Sequence, residues 1–249
     1  MEQQDPSPFK FPTETIELPS KGILYPEGHP LSNGTIEMKY MTAREEDILT
    51  NQNYIANGTV LDKLLQSLII TKFDYNDLLI GDKNAILIAS RILGYGKDYS
   101  FTYSGVEQTV DLSTLENKPL NETLFSKGVN EFHYTLPHSG TKITFRLMDG
   151  HLENKIDAEI KGLKKVNKNF SSDLTTRLKY IITSVEGDSD TKPIRDFIDN
   201  YLLARDSRAL REYIRNIQPD IDLNIFIEVN GESVEIEVPI GVNFFFPDI

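Results

Sequence analysis

The chain has 249 residues, with 38 acidic against 26 basic side chains, a net charge of −12, and neither cysteine nor tryptophan. The lack of cysteine excludes disulfides, thiol catalysis and cysteine-based zinc sites, and a chain this acidic repels phosphate backbones unless it carries a concentrated basic patch. No apolar run approaches the roughly 18 residues of a membrane span, and Met1–Lys10 is polar without the apolar core of a signal peptide, so a cytosolic protein is expected.

Met1 to Pro12 is rich in Gln, Asp, Ser and Pro and reads as a loose arm. Thr13 to Leu18 alternates as a short strand, Leu18-Pro19-Ser20-Lys21-Gly22 is a turn, and Thr35 to Tyr40 alternates again with Ile36, Met38 and Tyr40 on one face. Thr42 followed three residues later by Glu45 is a capping-box signature for a helix start. Thr59 to Ile70 places Val60, Leu61, Leu64, Leu65, Leu68 and Ile69 on one helical face. Asp82 reads as the cap of the next helix, with Ala85, Ile86, Ala89 and Leu93 inward and Gly94 at its end. A hairpin over Asp98 to Leu112 follows, then a connector holding Asn117, Pro119 and Asn121.

Phe132 to Leu136 and Lys142 to Leu147 read as strands, joined by Leu136-Pro137-His138-Ser139-Gly140. Met148-Asp149 leads into a helix, as Met41-Thr42 does earlier. Phe170 to Ser184 reads as a helix with Leu174, Leu178, Ile181 and Ile182 inward, and Glu186 to Thr191 as an acidic loop. Pro193 suits a first helical turn, and Ile194, Phe197, Ile198, Tyr201 and Leu202 then share a helical face. Asp206 reads as a second helix cap, and Pro219 as a stop. From Asp222 to Val238, Leu223, Ile225, Ile227 and Val229 alternate with Asn224, Phe226 and Glu228 up to Asn230-Gly231, and Val234, Ile236 and Val238 continue beyond it. Alternation on both sides of Asn-Gly is a strong hairpin signal, because both residues accept the positive φ of a type I′ turn. One face of this hairpin is apolar; Glu228, Glu235 and Glu237 make the other acidic. The chain closes with Phe244-Phe245-Phe246-Pro247.

A gap-free superposition of 70–110 on 194–234 makes Ile70, Phe73, Asn76, Leu78, Leu79, Asp82, Ala85, Arg91, Asp98 and Val110 identical to their counterparts. Both halves read strand, Leu-Pro turn, strand, helices, hairpin, which marks a duplication. The expected fold is therefore α+β in two similar halves, each a small antiparallel sheet with a helical cluster. Residues 1–12 are an arm, 13–118 the first half, 119–130 a connector, 131–240 the second half and 241–249 an aromatic tail.

Sites of chemistry are sparse. His133, His138 and His151 lie near Asp149 and Glu153, but across a strand-to-turn junction that gives no regular ligand spacing. Gly94-Tyr95-Gly96 follows a helix and precedes a strand, the reverse of a dinucleotide site. Ser20-Lys21 lacks the further motifs of a serine–lysine hydrolase. Lys161, Lys164, Lys165 and Lys168 form one basic patch at helical spacing, suited to an exposed helix side, to docking on an acidic partner or, weakly, to nucleic acid. Phe244, Phe245 and Phe246 either close a sheet or insert into a partner, since a free Phe triplet invites aggregation.

Glu17-Leu18-Pro19-Ser20-Lys21-Gly22 with Tyr25-Pro26, Met41 to Leu49 with its Glu45-Glu46-Asp47, Gly94-Tyr95-Gly96 with Asp98-Tyr99, and Phe244 to Pro247 occur here in one order. Together they resemble the baseplate hub assembly proteins of T4-type contractile-tailed bacteriophages. The resemblance implies a non-enzymatic role without cofactor or metal. The protein would help build the tail baseplate hub in the cytoplasm of the infected bacterium, by binding other hub proteins, with a place in the virion left open. It further implies that relatives can carry Cys-x-x-Cys pairs in the hairpins; the matching positions here, around Tyr103 to Val106 and Ile227 to Asn230, hold none. Candidate partner-binding residues are Phe244 to Phe246, Glu228, Glu235, Glu237 and the four lysines. The motif residues are Leu18 to Gly22 and Glu45 to Asp47. A regulatory or nucleic-acid-binding module and a cryptic hydrolase are the alternatives, and an oligomer stays open.

Overall fold

A computed structural model describes residues 12–166, 172–229 and 231–245. The N-terminal arm before Pro12, Phe170, Lys168, Asn230 and Phe246 lie outside these residues.

Thr13–Glu17 (β1) pairs antiparallel with Thr35–Lys39 (β2), Ile16 opposite Ile36. Alternation in β2 buries Ile36 and Met38 and exposes Glu37. The turn between the strands is tightly built. Gly22 and Gly34 both sit at positive φ (75° each), and a Cβ on Gly22 would lie 2.6 Å from the Gly34 nitrogen, so only glycine fits there. Three helices follow, Ala43–Leu49 (α1), Gln52–Asn57 (α2) and Val60–Leu68 (α3). The capping box of α1 is present, with Thr42 and Glu45 bonded reciprocally. Beyond α3 the chain turns extended at Ile69, which bridges Met38, and the Ile70 N–H reaches the Glu37 carbonyl at 2.9 Å.

Ile80–Tyr95 (α4) is the central helix of the first half, ending at Gly96 rather than at Gly94. Its end leads into the hairpin Asp98–Tyr103 (β3) and Val106–Asp111 (β4), which turns at Ser104 and Gly105, both at positive φ. In the second half, Phe132–Thr135 (β5) pairs with Lys142–Phe145 (β6). The helices Gly150–Val166 (α5) and Asp173–Ile181 (α6) follow.

Ile182–Val185 (β7) is a strand, which corrects the helix expected as far as Ser184: it pairs antiparallel with β6 and completes a three-stranded sheet. Ile182-Thr183-Ser184-Val185 is β-branched at three of its four positions, which suits the sheet better than the helix. Leu174 is 42% exposed rather than inward. Thr191–Asn200 (α7), Ala204–Ile217 (α8) and the hairpin Asn224–Val229 (β8) with Glu232–Glu237 (β9) complete the chain. Tyr201, expected on the inward face of α7, lies beyond its last turn and is 66% exposed.

The fold is mixed α+β, and the halves repeat in detail. The Leu18 N–H bonds the Gly34 carbonyl at 2.8 Å, and the Leu136 N–H bonds the Thr141 carbonyl at 2.9 Å. Ile69 and Ile182 end α3 and α6 with matching dihedrals (φ −72°, ψ 126°; φ −73°, ψ 126°). Leu79 and Leu203 precede α4 and α8 in the same way (φ −64°, ψ 145°; φ −62°, ψ 142°).

Asp82 and Asp206 are not the caps the sequence suggests, since α4 and α8 start two residues before them. Each reaches instead to the Leu-Pro turn of its own half. Asp82 accepts from the Ser20 N–H at 2.9 Å, and Asp206 from the His138 N–H at 2.8 Å.

The apolar core runs unbroken through both halves, from Leu18, Leu64 and Ile86 to Phe145, Leu178 and Leu210. A backbone seam joins them. Leu79 bridges Asp149, the Ile80 N–H bonds the Met148 carbonyl at 3.0 Å, and the Gly150 N–H bonds the Leu78 carbonyl at 3.1 Å. A second contact brings Gly81 against Pro219 so closely that a Cβ would sit 1.8 Å from the proline oxygen.

The aromatic tail belongs to this core. Phe244 and Phe245 have no exposed surface, and Phe244 lies edge-on to Tyr99 with ring centroids 4.7 Å apart. The Arg91 Nε donates to the Phe244 carbonyl at 2.9 Å. The reading of Phe244 and Phe245 as partner-binding residues is thereby overturned: burial in their own core leaves them no surface to offer.

Candidate functional site

The Leu18 to Gly22 motif brings a serine, a tyrosine and an aspartate together. Both the Ser20 and the Tyr25 hydroxyls donate to Asp82 Oδ2 at 2.7 Å, and the Tyr25 oxygen accepts from the Leu79 N–H at 3.1 Å. Ser20 and Asp82 have zero exposure. Burial pushes the Asp82 carboxyl above its ordinary value, against the pull of the Ser20 and Tyr25 donors. Burial beside Asp82 likewise raises the Tyr25 phenol. A nucleophile sealed from solvent meets no substrate, so this triad is a clamp that ties the first turn to α4. Lys21, the other half of the serine–lysine idea, points outward to Glu122 at 2.7 Å.

Glu45 is a second buried carboxylate. It accepts from Lys39 Nζ at 2.8 Å, Ser67 Oγ at 2.7 Å, and the N–H and Oγ1 of Thr42 at 3.0 and 2.6 Å. Burial would raise its pKa, but these donors outweigh it and bring the carboxyl down to about 2. Its neighbours Glu46 and Asp47 are exposed.

The histidines do not form the His133, His138 and His151 group that sequence proximity suggested. His133 and His138 are exposed, on a strand and in a turn. His151, at the start of α5, instead meets two acids of the first half: Nε2 lies 3.1 Å from Asp77 Oδ1 and 3.6 Å from Asp74 Oδ2. The other Asp77 oxygen is 3.1 Å from Nε2 of His29, whose ring stacks on Tyr25. One ligand atom from each of Asp74, Asp77 and His151 falls close enough to share a cation. Each acid already has a protein partner there, however, because Asp74 also accepts from the Asn76 N–H and side-chain amide. Asp74 and Asp77 lie three residues apart, but only the seam brings His151 to them.

Beside the seam, a cleft of about 590 Å³ opens among Leu61, Asp62, Lys83, Glu153, Asp157 and Glu237. Lys83 sits between Asp62 (2.7 Å) and Glu153 (3.0 Å). Desolvation lowers its pKa, but the two carboxylates outweigh this and raise it. The arrangement is an ion-paired bridge across the halves.

The hairpin of β8 and β9 presents the surface that the sequence foresaw, with one addition. Glu228, Glu235 and Glu237 are exposed on one face, and Phe226, directly opposite Glu235 in the register, is 73% exposed among them. The other face packs inward, with Ile227 at 8% exposure. The first hairpin lies alongside, and Gln108 Nε2 donates to the Glu228 carbonyl at 3.2 Å. Lys161, Lys164 and Lys165 are exposed on the last turns of α5, with Lys164 paired to Asp173 at 3.4 Å. Phe226 was missed because alternation marks it only as outward-facing; its aromatic character was the available signal.

Among the described residues no helix is long and apolar enough to cross a membrane. Comparison with protein-family models, curated proteins and solved structures returns no match to this chain.

Proposed function

We propose that this chain is a non-enzymatic assembly protein that works by binding other proteins, in the manner of the baseplate hub assembly proteins of T4-type phages. The single observation that carries the binding reading is Phe226. A large aromatic side chain 73% exposed, ringed by Glu228, Glu235 and Glu237, is costly in water and useful in an interface. Aromatic anchors with a charged rim give affinity at the centre and steering at the edge. The ordered motifs from Leu18 to Pro247 supply the phage context. In that context the partners are hub or hub-assembly proteins, and the place of action is the cytoplasm of the infected bacterium. The buried Ser20–Tyr25–Asp82 clamp fits this reading better than hydrolysis, since its groups hold the fold rather than face a cleft.

The experiment is a binding measurement with purified hub proteins. Phe226→Asp should weaken binding to the cognate hub protein by about tenfold or more, as loss of a central anchor does, with an unchanged melting temperature. Unchanged affinity would remove Phe226 from the interface.

A further inference from the structure

The duplication gives the seam between the halves a counterpart that the chain leaves open. Within the molecule, Leu78-Leu79-Ile80 of the first half pairs with Met148-Asp149-Gly150 of the second. The repeat carries Leu78-Leu79 onto Leu202-Leu203, and Leu203 holds the same backbone conformation as Leu79. Their surroundings differ. Leu79 is 6% exposed, whereas Leu203 is 50% and the adjoining Tyr201 66% exposed. The Ile80 N–H is satisfied by Met148, but among the described residues the Ala204 N–H and the Leu202 carbonyl meet no backbone partner. The complementary edge is half-buried, with Met41 against Gly94 and the Thr42 N–H bonded to Glu45, but among the described residues the Met41 carbonyl and the Ala43 N–H meet no backbone partner. Met41-Thr42-Ala43 corresponds to Met148-Asp149-Gly150, and Ala43 and Arg44 are exposed at the start of α1.

We infer that the second half of one copy docks on the first half of another, with 202–204 receiving 41–43 and so continuing the internal seam between molecules. The side chains around the two edges fit this occupant. Inside the molecule His151 meets Asp77, and Asn154 Nδ2 donates to Asn76 Oδ1 at 2.9 Å. Their counterparts between copies are Arg44 against Tyr201, a cation on an aromatic ring, and Asp47 against the Asn200 amide. The edge is held in its docking conformation beforehand by α8, which lowers the ordering cost of association. One difference sets the strength. A Cβ at Gly150 would lie 3.0 Å from the Asn76 Cα, and Ala43 carries that Cβ, so the seam between copies opens by a few tenths of an ångström and is the weaker of the two. The contact is heterologous, so copies add head to tail into a short chain or a closed ring.

Sedimentation equilibrium of the full chain tests this. The weight-average mass should rise from 28.3 kDa in whole-copy steps between micromolar and near-millimolar concentration. Leu203→Asp, or Tyr201→Glu as a second variant of the same edge, should stay monomeric, as should Ala43→Leu on the opposite edge, all with wild-type melting temperatures. Mixing Leu203→Asp with Ala43→Leu should restore one complex of two copies, because each supplies the edge the other lacks. A wild-type chain that stays at one copy throughout, an oligomer that the Leu203 and Tyr201 variants leave intact, or a mixture that stays monomeric would overturn the inference.

Discussion

Removing the Asp82 carboxylate strands three donors, the Ser20 N–H, the Ser20 hydroxyl and the Tyr25 hydroxyl, in a place without solvent. Asp82→Ala should therefore cost about 3–5 kcal/mol. Asp206 makes the equivalent contact with the His138 and Ser139 N–H groups, but that turn is exposed and its donors can turn to water. Asp206→Ala should cost about 1–2 kcal/mol. Urea unfolding of both variants checks the order; equal costs would mean that the turn at 138–139 is as sealed as its counterpart. Glu45 gives a pH prediction. Its carboxyl titrates near 4.5 when unfolded and at about 2 when folded. The depressed value means stability is present above 4.5 and is lost as pH falls towards 2, by on the order of 2–3 kcal/mol. Asp82 is shifted upward, so its own contribution changes in the opposite sense, as pH falls from its raised folded value towards the ordinary 3.8. The clean readout is therefore the difference between wild type and Glu45→Gln, which should shrink between pH 6 and about pH 3; a constant difference would contradict the assignment.

Among the elements, the two hairpins and the amphipathic helices were legible because period-2 and period-3.6 patterns depend only on which face is buried. The strand β7 was not. Ile181 and Ile182 prolong the apolar spacing of α6, and only the open edge of β6 draws Ile182–Val185 into the sheet. The clamp aspartates were visible as special residues, but a helix cap and a long-range clamp call for the same carboxylate at the same end of a helix. The tail was ambiguous for a different reason: three phenylalanines state how much area is hidden and not what hides it. Their burial predicts that Phe244→Ala costs about 3–5 kcal/mol. Such a loss would be read as a large drop in melting temperature, and a drop of a degree or two would return the tail to the surface.

At the scale of the molecule, sequence identity showed the repeat, but not that its two copies of Leu-Leu have different fates. Leu79 is covered by the second half, whereas Leu203 is left half exposed, a difference that arises only when two halves must share one seam. The same asymmetry places His151 beside Asp77, while strand alternation leaves Phe226 outward on the acidic hairpin face. In the proposed function these outward features are the working parts and the buried carboxylates their support. On the function proposed above, the chain is needed to build a phage baseplate hub. Under that proposal, the most direct measurement is deletion of the coding gene from a phage genome, with complete baseplates counted in infected-cell lysates by electron microscopy. Complete baseplates should be lost on deletion, restored by the wild-type chain supplied in trans, and not restored by Phe226→Asp. Complete baseplates at the wild-type count without the protein would contradict it.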